Sequence, residues 1–466
     1  MELVFTPLGK NVNLIKHFLN KTKINFCDIS LGVKFMWRET VKIEYAIFNN
    51  TLILKETGGN HKNAFYYPIG DDEIGALEKI EEYCLKNDLP LIFGYLDEQR
   101  VALLQKRYFL TKNRFDRDWC DYIYLKENFL TYSGKKLSGQ RNHVNKFKRN
   151  YPNYKFNEIT EDNLPRVVEF LEEFNAKLER AGRIEEQERE HALELTKNMF
   201  LLNQRGGFIE VDEKIVAMSI GEKVNETLII HVEKANTDYA GAYPTMAQEF
   251  AKAHSYDVKY INREEDCGDI GLRTSKSQYQ PLEIKAKNFL SVFTLFDKID
   301  ENLLLNTERL SISKIEEFDK ENYFKLYVDE ELNKLWGYDY KEDLKGKRPT
   351  PDYFYNFQNV LKEKKQEISF AVRINKELIG ELVVHNFDFF GGVEMGFRFF
   401  PAYQGKGYAF ESASALKEYL FSIVKIRKLK GSCYKQNASS KKLIEKLGLK
   451  KSGEDQIKYY FELKND

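Results

Sequence analysis

The sequence predicts an α/β protein built from three copies of one structural unit. Alternating apolar residues, typical of strands, are interspersed along the chain with apolar residues at helical spacing. Three short turns, at Asn49-Asn50, Asp212-Glu213 and Asn375-Lys376, each separate two strand-like runs and are evenly spaced along the 466 residues. This repetition indicates three related units with mixed sheets flanked by helices.

The composition is that of a compact globular protein without a charge bias. Lys plus Arg and Asp plus Glu are both 72, so no overall attraction to nucleic acid or to a membrane is expected. Five scattered cysteines have neither metal-ligand nor disulfide spacing, and we predict no metal site. Neither a membrane-spanning run nor a signal peptide is evident, which predicts a cytoplasmic protein.

The first unit is predicted to extend over residues 1–130. It begins with a helix at Leu8–Asn20, which is followed by the strand pair Lys42–Ile53. An apolar face at helical spacing predicts a helix at Asp72–Lys86, and the apolar run Leu89–Tyr95 predicts a strand. This alternation contains no glycine-rich phosphate loop.

A local basic segment, residues 133–149, lies near the start of the second unit, which is predicted over residues 131–300. Its cations are Lys135, Lys136, Arg141, Lys146, Lys148 and Arg149, with His143 among them. Such a segment is more often a solvated linker helix. The alternative is a helix that binds an anion, such as tRNA phosphate or an acidic headgroup.

The rest of the second unit repeats the order of helix and strands. Asp162 is a candidate N-cap, and Pro165 lies in the first turn of a helix that extends to about Arg180. A hairpin follows at Phe208–Val216. The later stretch Ala235–Thr245 has no acyl-CoA loop pattern, so no CoA ligand is expected in this unit.

A polar signature closes the second unit at Asn262–Pro281. Together with Gly134-Lys135-Lys136 and Arg141-Asn142, it resembles the C-terminal domain of the phosphatidylglycerol lysyltransferases. That family is a tandem of two GNAT-like folds related to Fem-type aminoacyltransferases, and the resemblance covers about residues 5–294. Full lysyltransferases also carry a transmembrane region, and this sequence contains none.

The resemblance implies two alternatives for this N-terminal module. It is either an aminoacyl-tRNA-dependent transferase or a non-catalytic domain that binds a ligand. The candidate substrate-binding residues around an aminoacyl or amine group are Glu265, Asp266, Arg273 and Lys276, with Arg141 facing an RNA end or a phosphorylated substrate. The competing interpretation of the acidic and basic residues is a structural ion-pair network.

The third unit, residues 305–466, contains the stretch on which the main functional prediction rests. A strand predicted at Val393–Phe400 ends before Pro401, and Gln404-Gly405-Lys406-Gly407-Tyr408-Ala409 leads directly into the helix Phe410–Val424. Two glycines between a strand and a helix let bare N–H groups approach a ligand. The helix start adds free donors and partial positive charge, so the expected ligand is a phosphate or pyrophosphate.

This loop resembles the acyl-CoA loop of the GNAT acetyltransferases, whose pattern is Gln-x-x-Gly-x-Gly/Ala. The strand Lys428–Tyr434 and the segment Asn437–Leu449 resemble the second signature of that family. The resemblance covers about residues 307–463. It implies acetyl-CoA as the co-substrate and an amine, on a small molecule or a peptide, as the acceptor.

The GNAT resemblance also implies which residues bind the co-substrate. The strand would contact the pantetheine arm, the loop would hold the pyrophosphate, and the start of the last helix would face the cofactor. These candidates are Phe397, Phe399, Gln404, Gly405, Lys406, Gly407, Tyr408, Ala409, Asn437 and Ser440. The competing interpretations are a solvated lysine for Lys406 and helix capping for Asn437 and Ser440.

Glu394 is the candidate general base, because it is the carboxylate on the predicted cofactor strand. The competing interpretation is an exposed strand residue, and Glu381 and His385 on the preceding strand are alternative bases. Many GNAT enzymes have an acid tyrosine where this sequence has Ile444. Two tyrosines are candidate substitutes, Tyr403 and Tyr434.

Overall fold

The structure is a computed structural model that describes residues 2–9, 12–180, 186–344 and 346–465. The chain divides into two units. Unit 1 consists of Met1–Leu103 and Lys112–Ser291, and unit 2 consists of Leu104–Thr111 and Val292–Asp466. No helix in the described ranges is both long and apolar enough to cross a membrane.

Strands and helices alternate along the chain. The strands are β1 (Thr6–Pro7), β2 (Ile43–Phe48), β3 (Thr51–Glu56), β4 (Ala64–Tyr66), β5 (Ile69–Gly70), β6 (Leu91–Leu96), β7 (Leu110–Arg114), β8 (Asp121–Leu125), β9 (Lys155–Glu158), β10 (Arg205–Val211), β11 (Lys214–Val224), β12 (Thr227–Ala235), β13 (Tyr260–Asn262), β14 (Glu283–Lys285), β15 (Asn288–Phe293), β16 (Leu304–Asn306), β17 (Ser311–Lys314), β18 (Glu367–Ile374), β19 (Glu377–His385), β20 (Gly392–Phe399), β21 (Lys428–Tyr434), β22 (Lys450–Glu454) and β23 (Lys458–Lys464). The helices are α1 (Asn13–Leu19), α2 (Leu31–Trp37), α3 (Glu73–Lys86), α4 (Glu98–Arg107), α5 (Glu127–Thr131), α6 (Ser138–Asn150), α7 (Leu164–Arg180), α8 (Glu186–Lys197), α9 (Ala242–His254), α10 (Ile270–Gln278), α11 (Lys320–Val328), α12 (Glu330–Trp336), α13 (Tyr340–Leu344), α14 (Pro351–Glu363), α15 (Tyr408–Tyr419) and α16 (Ala438–Lys446).

The described strands form three sheets. The first has the order β1-β2-β3-β4-β6-β15-β7, with β5 paired to β3, and the second has the order β14-β8-β13-β12-β11-β10-β9. The third has the order β16-β17-β18-β19-β20-β21-β23-β22. Each sheet combines antiparallel pairs with a parallel pair, β4 with β6, β12 with β13 and β20 with β21. The predicted α/β fold, with mixed sheets flanked by helices, is confirmed.

The three predicted turns have the same backbone conformation. Both residues of each turn have positive φ angles, between 43° and 72°. Two-residue hairpin turns favour this left-handed pair because it matches the twist of the flanking strands. Each turn joins the two strands expected of it, β2 to β3, β10 to β11 and β18 to β19.

Unit 1 has a core that joins residues of its two sheets. Leu52 and Leu54 of the first sheet share a buried cluster with Phe208 and Ile220 of the second. A second cluster lies around Phe147 of α6, where the basic helix buries its apolar side. The two sheets of unit 1 therefore fold around common apolar side chains.

Unit 2 is built around the third sheet. One cluster of buried side chains lies between this sheet and α15, with Phe370 and Leu416 among its members. Another lies beneath α11 and α14 and includes Tyr323 and Phe354. The sheet therefore separates two apolar layers, and the strands β18 to β21 are sandwiched between helices.

Candidate active site

The parallel strands β20 and β21 pair at one end and then separate. Their register joins Gly392 to Lys428 and ends with Glu394 opposite Lys430. Beyond that point β20 continues to pair with β19, and β21 with β23. The facing edges of β20 and β21 therefore diverge into a wedge that opens toward the carboxyl ends of both strands.

The glycine loop follows β20 at the open end of this wedge. Gly405 and Gly407 have φ angles of +73° and +85°, which favour glycine. Gly407 caps α15 without a side-chain hydrogen bond. Among the described residues, no acceptor pairs with the backbone N–H groups from Gly405 to Phe410. The loop thus presents a row of free donors at a helix start, which suits a pyrophosphate.

An ion pair braces this loop from outside the predicted motif. The Arg309 guanidinium donates to the Glu411 carboxylate at 2.7 Å and to the Lys406 carbonyl at 3.1 Å. The Thr307 hydroxyl donates to the other oxygen of Glu411. Sequence reasoning missed this brace, because Arg309 and Glu411 are a hundred residues apart and carry no motif of their own.

The other predicted cofactor residues lie around the same wedge. Phe397 and Phe399 are on β20 beyond the point of separation, and the Gln404 amide donates back to the Phe399 carbonyl at 2.9 Å. The Asn437 side chain accepts from the Ser440 amide at 3.1 Å and so caps α16. The predicted residues are therefore grouped on β20, the loop with the start of α15, and the start of α16.

Lys406 and Tyr408 remain at the edge of this group. Lys406 is exposed, with its ammonium 5.6 Å from the Tyr403 ring. Tyr408 is half-buried beneath the Arg309 guanidinium, 4.6 Å from its ring centroid. A pyrophosphate contact by Lys406 stays a prediction. The half-buried Ala409 lies in the first turn of α15.

Glu394 occupies the closed end of the wedge. Its carboxylate accepts from the Ser432 hydroxyl at 2.8 Å and from the Asn386 amide at 2.9 Å. These two donors fix the carboxylate at the last residue pair before the strands part. A proton acceptor is therefore held at the closed end of the wedge, where the inner end of a ligand bound in the wedge would lie.

The two alternative bases differ in their surroundings. His385 lies directly opposite Glu394 on β19, and burial lowers its pKa although Glu394 opposes this shift. A neutral imidazole thus adjoins the carboxylate. Glu381 is buried against the Arg398 guanidinium at 2.5 Å, with the side chain of Arg398 also donating to Asn333. Its carboxylate is therefore already balanced by a cation.

The candidate acids lie at different distances from this site. Ile444, at the position of the expected acid tyrosine, is buried in the core on α16. Tyr434 ends β21, and its hydroxyl lies against Gly337 at the end of α12. Tyr403 lies in the turn between β20 and the glycine loop. Of the two, Tyr434 is on a strand that borders the wedge.

The polar signature of unit 1 divides into two clusters. Arg273 donates to Asp266 at 2.7 Å and to Asp118 at 2.6 Å, and Asp266 also accepts from Arg117 and Tyr122. Asp266 is fully buried. This cluster has the form of the structural ion-pair network that competed with a substrate pocket.

Glu265 lies in the other cluster, around the buried ammonium of Lys287. That ammonium contacts Asp28 at 2.5 Å, Asp121 at 2.8 Å, the Cys27 thiol at 3.1 Å, and Glu265. Burial favours a neutral amine, yet Asp121 and Asp28 raise the pKa of Lys287 above its ordinary value. The ammonium thus lies among Cys27, Asp28, Asp121 and Glu265, four residues whose side chains are close enough together to hold a metal ion.

Lys276 and Arg141 make backbone contacts. The Lys276 ammonium donates to the carbonyls of Arg263 and Glu265, and the Arg141 guanidinium donates to those of Tyr132 and Gly134. The Arg141 bonds hold the segment that precedes the basic helix α6, and the Lys276 bonds hold the start of the polar signature. The structure therefore does not bring Arg141 and the four signature residues together at one open pocket.

Unit 1 contains a buried polar site that sequence reasoning missed. Glu56 accepts from the Tyr66 and Tyr95 hydroxyls at 2.6 and 2.9 Å through a single oxygen. Its other oxygen is buried and has no partner among the described residues. The buried ammonium of Lys34 lies 3.6 Å from the centre of the Tyr66 ring, and no described carboxylate lies within ion-pair distance of it. Burial lowers the pKa of Lys34, although the charges of Glu56 and Asp28 act to raise it.

A charged histidine is also buried in unit 1. His231 contacts Glu264 at 2.7 Å and Glu222 at 3.2 Å. Burial by itself lowers the pKa of His231, but the hydrogen bonds to Glu222 and Glu264 raise it to about 9. The folded protein therefore holds a proton on His231 that the unfolded chain, with a pKa of about 6.5, releases near neutral pH.

This histidine predicts a pH-dependent stability. Its contribution is fully present below pH 6.5 and is lost as the pH rises to about 9, because the folded state binds the proton more tightly. We expect His231→Gln to remove about 3 kcal/mol of free energy of unfolding at pH 6 and much less at pH 9.5. Chemical unfolding of both proteins across this range measures the difference. A difference independent of pH would contradict a charged His231.

Comparison with known families matches both halves of the chain. Residues 24–288, more than half of the chain, match the family described as phosphatidylglycerol lysyltransferase, C-terminal. Residues 309–450 match the acetyltransferase (GNAT) domain family. Both predicted resemblances are confirmed.

Individual relatives agree with these matches. An uncharacterized N-acetyltransferase of Bacillus subtilis, YnaD, is 34% identical over 76 residues, which are 16% of this chain and 45% of that protein. A second, YoaA, is 26% identical over 153 residues, 32% of this chain and 84% of that protein. The chain thus spans less than half of the first of these relatives.

A solved structure matches more than half of the chain. The crystal structure of a conserved protein of unknown function from Bacteroides thetaiotaomicron is 31% identical, with a TM-score of 0.57. It covers 62% of this chain and 99% of its own.

Proposed function

Because the chain belongs to the phosphatidylglycerol lysyltransferase C-terminal family and also carries a GNAT acetyltransferase domain, we propose that this domain transfers acetyl from acetyl-CoA to an amine. The observation that carries the proposal is the wedge between β20 and β21. A fixed carboxylate, Glu394, stands at its closed end, and the row of free N–H groups stands at its open end.

The chain offers suitable groups along the whole wedge. The N–H groups from Gly405 to Ala409 would hold the pyrophosphate, and the unpaired edge of β20 at Phe397 would bind the pantetheine arm. Asn437 and Ser440 would border the opposite side. Acetyl-CoA would supply the acetyl thioester.

Glu394 would act as the general base in this proposal. An amine is protonated at neutral pH and must lose a proton before its nitrogen can attack. The carboxylate is fixed by Ser432 and Asn386, which leaves its position defined before any acceptor arrives. The neutral imidazole of His385 lies beside it as a second proton acceptor.

Calorimetric titration of acetyl-CoA into the full chain tests the proposal, together with an assay of free thiol released in the presence of amines. We expect saturable binding and thiol release that depends on the amine. A chain that neither binds acetyl-CoA nor releases thiol with any amine would overturn the proposal.

We further propose that unit 1 binds a small ligand at the Glu56 site. The observation that favours this second function is the second oxygen of Glu56, which is buried without a hydrogen-bond partner, together with the buried Lys34 ammonium, whose charge acts on Glu56 without a direct ion-pair contact. A buried carboxylate oxygen without a hydrogen-bond partner is costly, so a ligand that contacts both groups is expected. It would present an acid group to Lys34 and a donor to Glu56, as an amino acid does.

Glu56→Gln tests this second function. We expect a panel of free amino acids to raise the melting temperature of the parent protein, and the variant to lose that response because its amide no longer attracts an ammonium. The control is Glu78→Gln on α3, since Glu78 is exposed on the same unit. If no amino acid raises the melting temperature of the parent protein, yet the protein slows the migration of aminoacyl-tRNA in a gel, the aminoacyl-tRNA alternative for this module would replace the proposal.

A further inference from the structure

Three ionisable side chains form a row across the middle of the third sheet. Glu367 on β18 lies directly opposite His385 on β19, and His385 lies directly opposite Glu394 on β20. Directly opposed residues of antiparallel strands point to the same face of a sheet. The row therefore joins the candidate base to a second carboxyl group on the same face.

The same face carries the end of α12 close to this row. The Trp336 ring packs directly on Gly396, since a Cβ added to Gly396 would lie 2.5 Å from the ring. Gly396 is two residues beyond Glu394 on the same strand. The half-buried ring also lies 5.4 Å from the Arg398 guanidinium. Trp336 thus adds an aromatic face beside the polar row, on the side of the sheet that α11 and α14 cover.

The carboxyl groups of the row are not neutralised by the protein. Glu367 accepts one hydrogen bond, from the Ser369 hydroxyl at 3.2 Å. In the described ranges, no Lys or Arg lies within ion-pair distance of Glu367 or Glu394, whereas Arg398 pairs with Glu381 and Lys430 with Asp388. The second oxygen of Glu381, on the same face, is fully buried and also lacks a hydrogen-bond partner.

The surroundings of Glu367 disfavour its ionised form, chiefly because the carboxyl group is buried. Burial, followed by the charge of Glu381, raises the pKa of Glu367 to about 7, although the Ser369 hydrogen bond and Arg398 lower it. The carboxyl group would ionise fully when a cation is placed beside it.

We propose that this row receives an acceptor with two ammonium groups, a linear aliphatic diamine, whose reacting amine lies at Glu394 and whose second ammonium lies at Glu367. The inference rests on the proposed acetyl transfer. The reacting ammonium gives one proton to Glu394, its nitrogen forms the amide bond as the thioester C–S bond breaks, and its second proton leaves with the thiol. The second ammonium stays intact and fixes the chain of the acceptor.

The strand spacing sets the length of this acceptor. Glu367 and Glu394 are two strands apart, which separates their backbones by about 10 Å. Allowing about 3 Å for each contact of nitrogen with oxygen leaves roughly 4 to 6 Å between the two nitrogen atoms. A chain of about three or four methylene groups spans this distance, and Trp336 would pack against those methylenes.

The test compares 1,4-diaminobutane with butylamine, which has the same four-carbon chain and one ammonium. We expect the full chain to acetylate the diamine with a kcat/KM about 10- to 100-fold higher, since a charge-assisted contact is lost with butylamine. Glu367→Gln should remove this preference by raising the KM for the diamine far more than the KM for butylamine. The matched control is Glu363→Gln, which replaces an exposed carboxylate at the end of α14.

Three outcomes would overturn the inference and a fourth would remove its premise. If the parent protein acetylates both amines equally, or if Glu367→Gln keeps the preference, Glu367 does not bind a second ammonium. If the protein binds acetyl-CoA but calorimetry detects no diamine binding, the acceptor has a different chemistry. A protein that does not bind acetyl-CoA at all fails the proposed function instead, and the two failures are thereby distinguished.

Discussion

Gly407→Val is expected to weaken acetyl-CoA binding by at least about 100-fold while the protein stays folded. Valine is a β-branched residue, and the φ of +85° at this position would strain it. The Cβ position also lies 3.3 Å from the flexible Arg309 guanidinium, so within the protein the backbone conformation is the stronger constraint. Relaxing it would turn the free N–H groups of the loop away from the pyrophosphate.

The expected size follows from the number of bonds lost. Two or three charge-assisted hydrogen bonds contribute about 1.5–3 kcal/mol each, and every 1.4 kcal/mol is a factor of about ten in affinity. Calorimetry on the full chain measures the change. The control is Gly448→Val, because Gly448 has a φ of +93° and no atom within 4 Å of its Cβ position, so it carries the same backbone strain away from the loop. Equal affinity in Gly407→Val and the parent would reduce the loop to an ordinary turn.

Glu394→Gln is expected to slow turnover by a factor of about 10² to 10⁴ with acetyl-CoA affinity intact. The amide keeps the size of the side chain and can still contact Ser432 and Asn386, but it accepts no proton. Initial rates of thiol release at saturating acetyl-CoA measure this loss, and calorimetry verifies that binding is retained.

Glu445→Gln provides the control for this variant, since Glu445 is an exposed carboxylate on α16. A variant at Glu394 that turns over at the parental rate would exclude it as the base. The directly opposed His385 would then be the next residue to replace, because burial keeps its imidazole neutral and able to accept a proton.

Local signals in the sequence predicted much of the fold. The glycine pair, the apolar strand before it and the three left-handed turns are each specified by residues within a few positions of one another. The strand predicted at Val393–Phe400 is β20 at Gly392–Phe399, and the predicted strand Lys428–Tyr434 is identical to β21. Such features depend on backbone conformation and on periodicity, which neighbouring residues determine.

The sites that sequence reasoning missed depend on register and on distant pairs. Glu367 becomes part of the candidate site only because the hairpin of β18 and β19 aligns it with His385. Lys34 and Glu56 lie on different elements, and only the fold shows that both charged side chains are buried. The core of unit 2 likewise includes Leu295 and Leu303, which precede the predicted start of the third unit at residue 305. No local pattern carries these facts.

The separation of β20 from β21 also has a mechanical consequence. Among the described residues, only 392–394 and 428–430 form backbone pairs between the two halves of the eight-stranded third sheet. Few hydrogen bonds therefore oppose a change in the spacing of β20 and β21 beyond this point. A molecule that binds in the wedge would contact both strands and hold them at a fixed spacing. Glu394 lies at the last of these pairs, where a change in strand spacing is smallest, so the candidate proton acceptor would keep its position when the wedge widens or narrows.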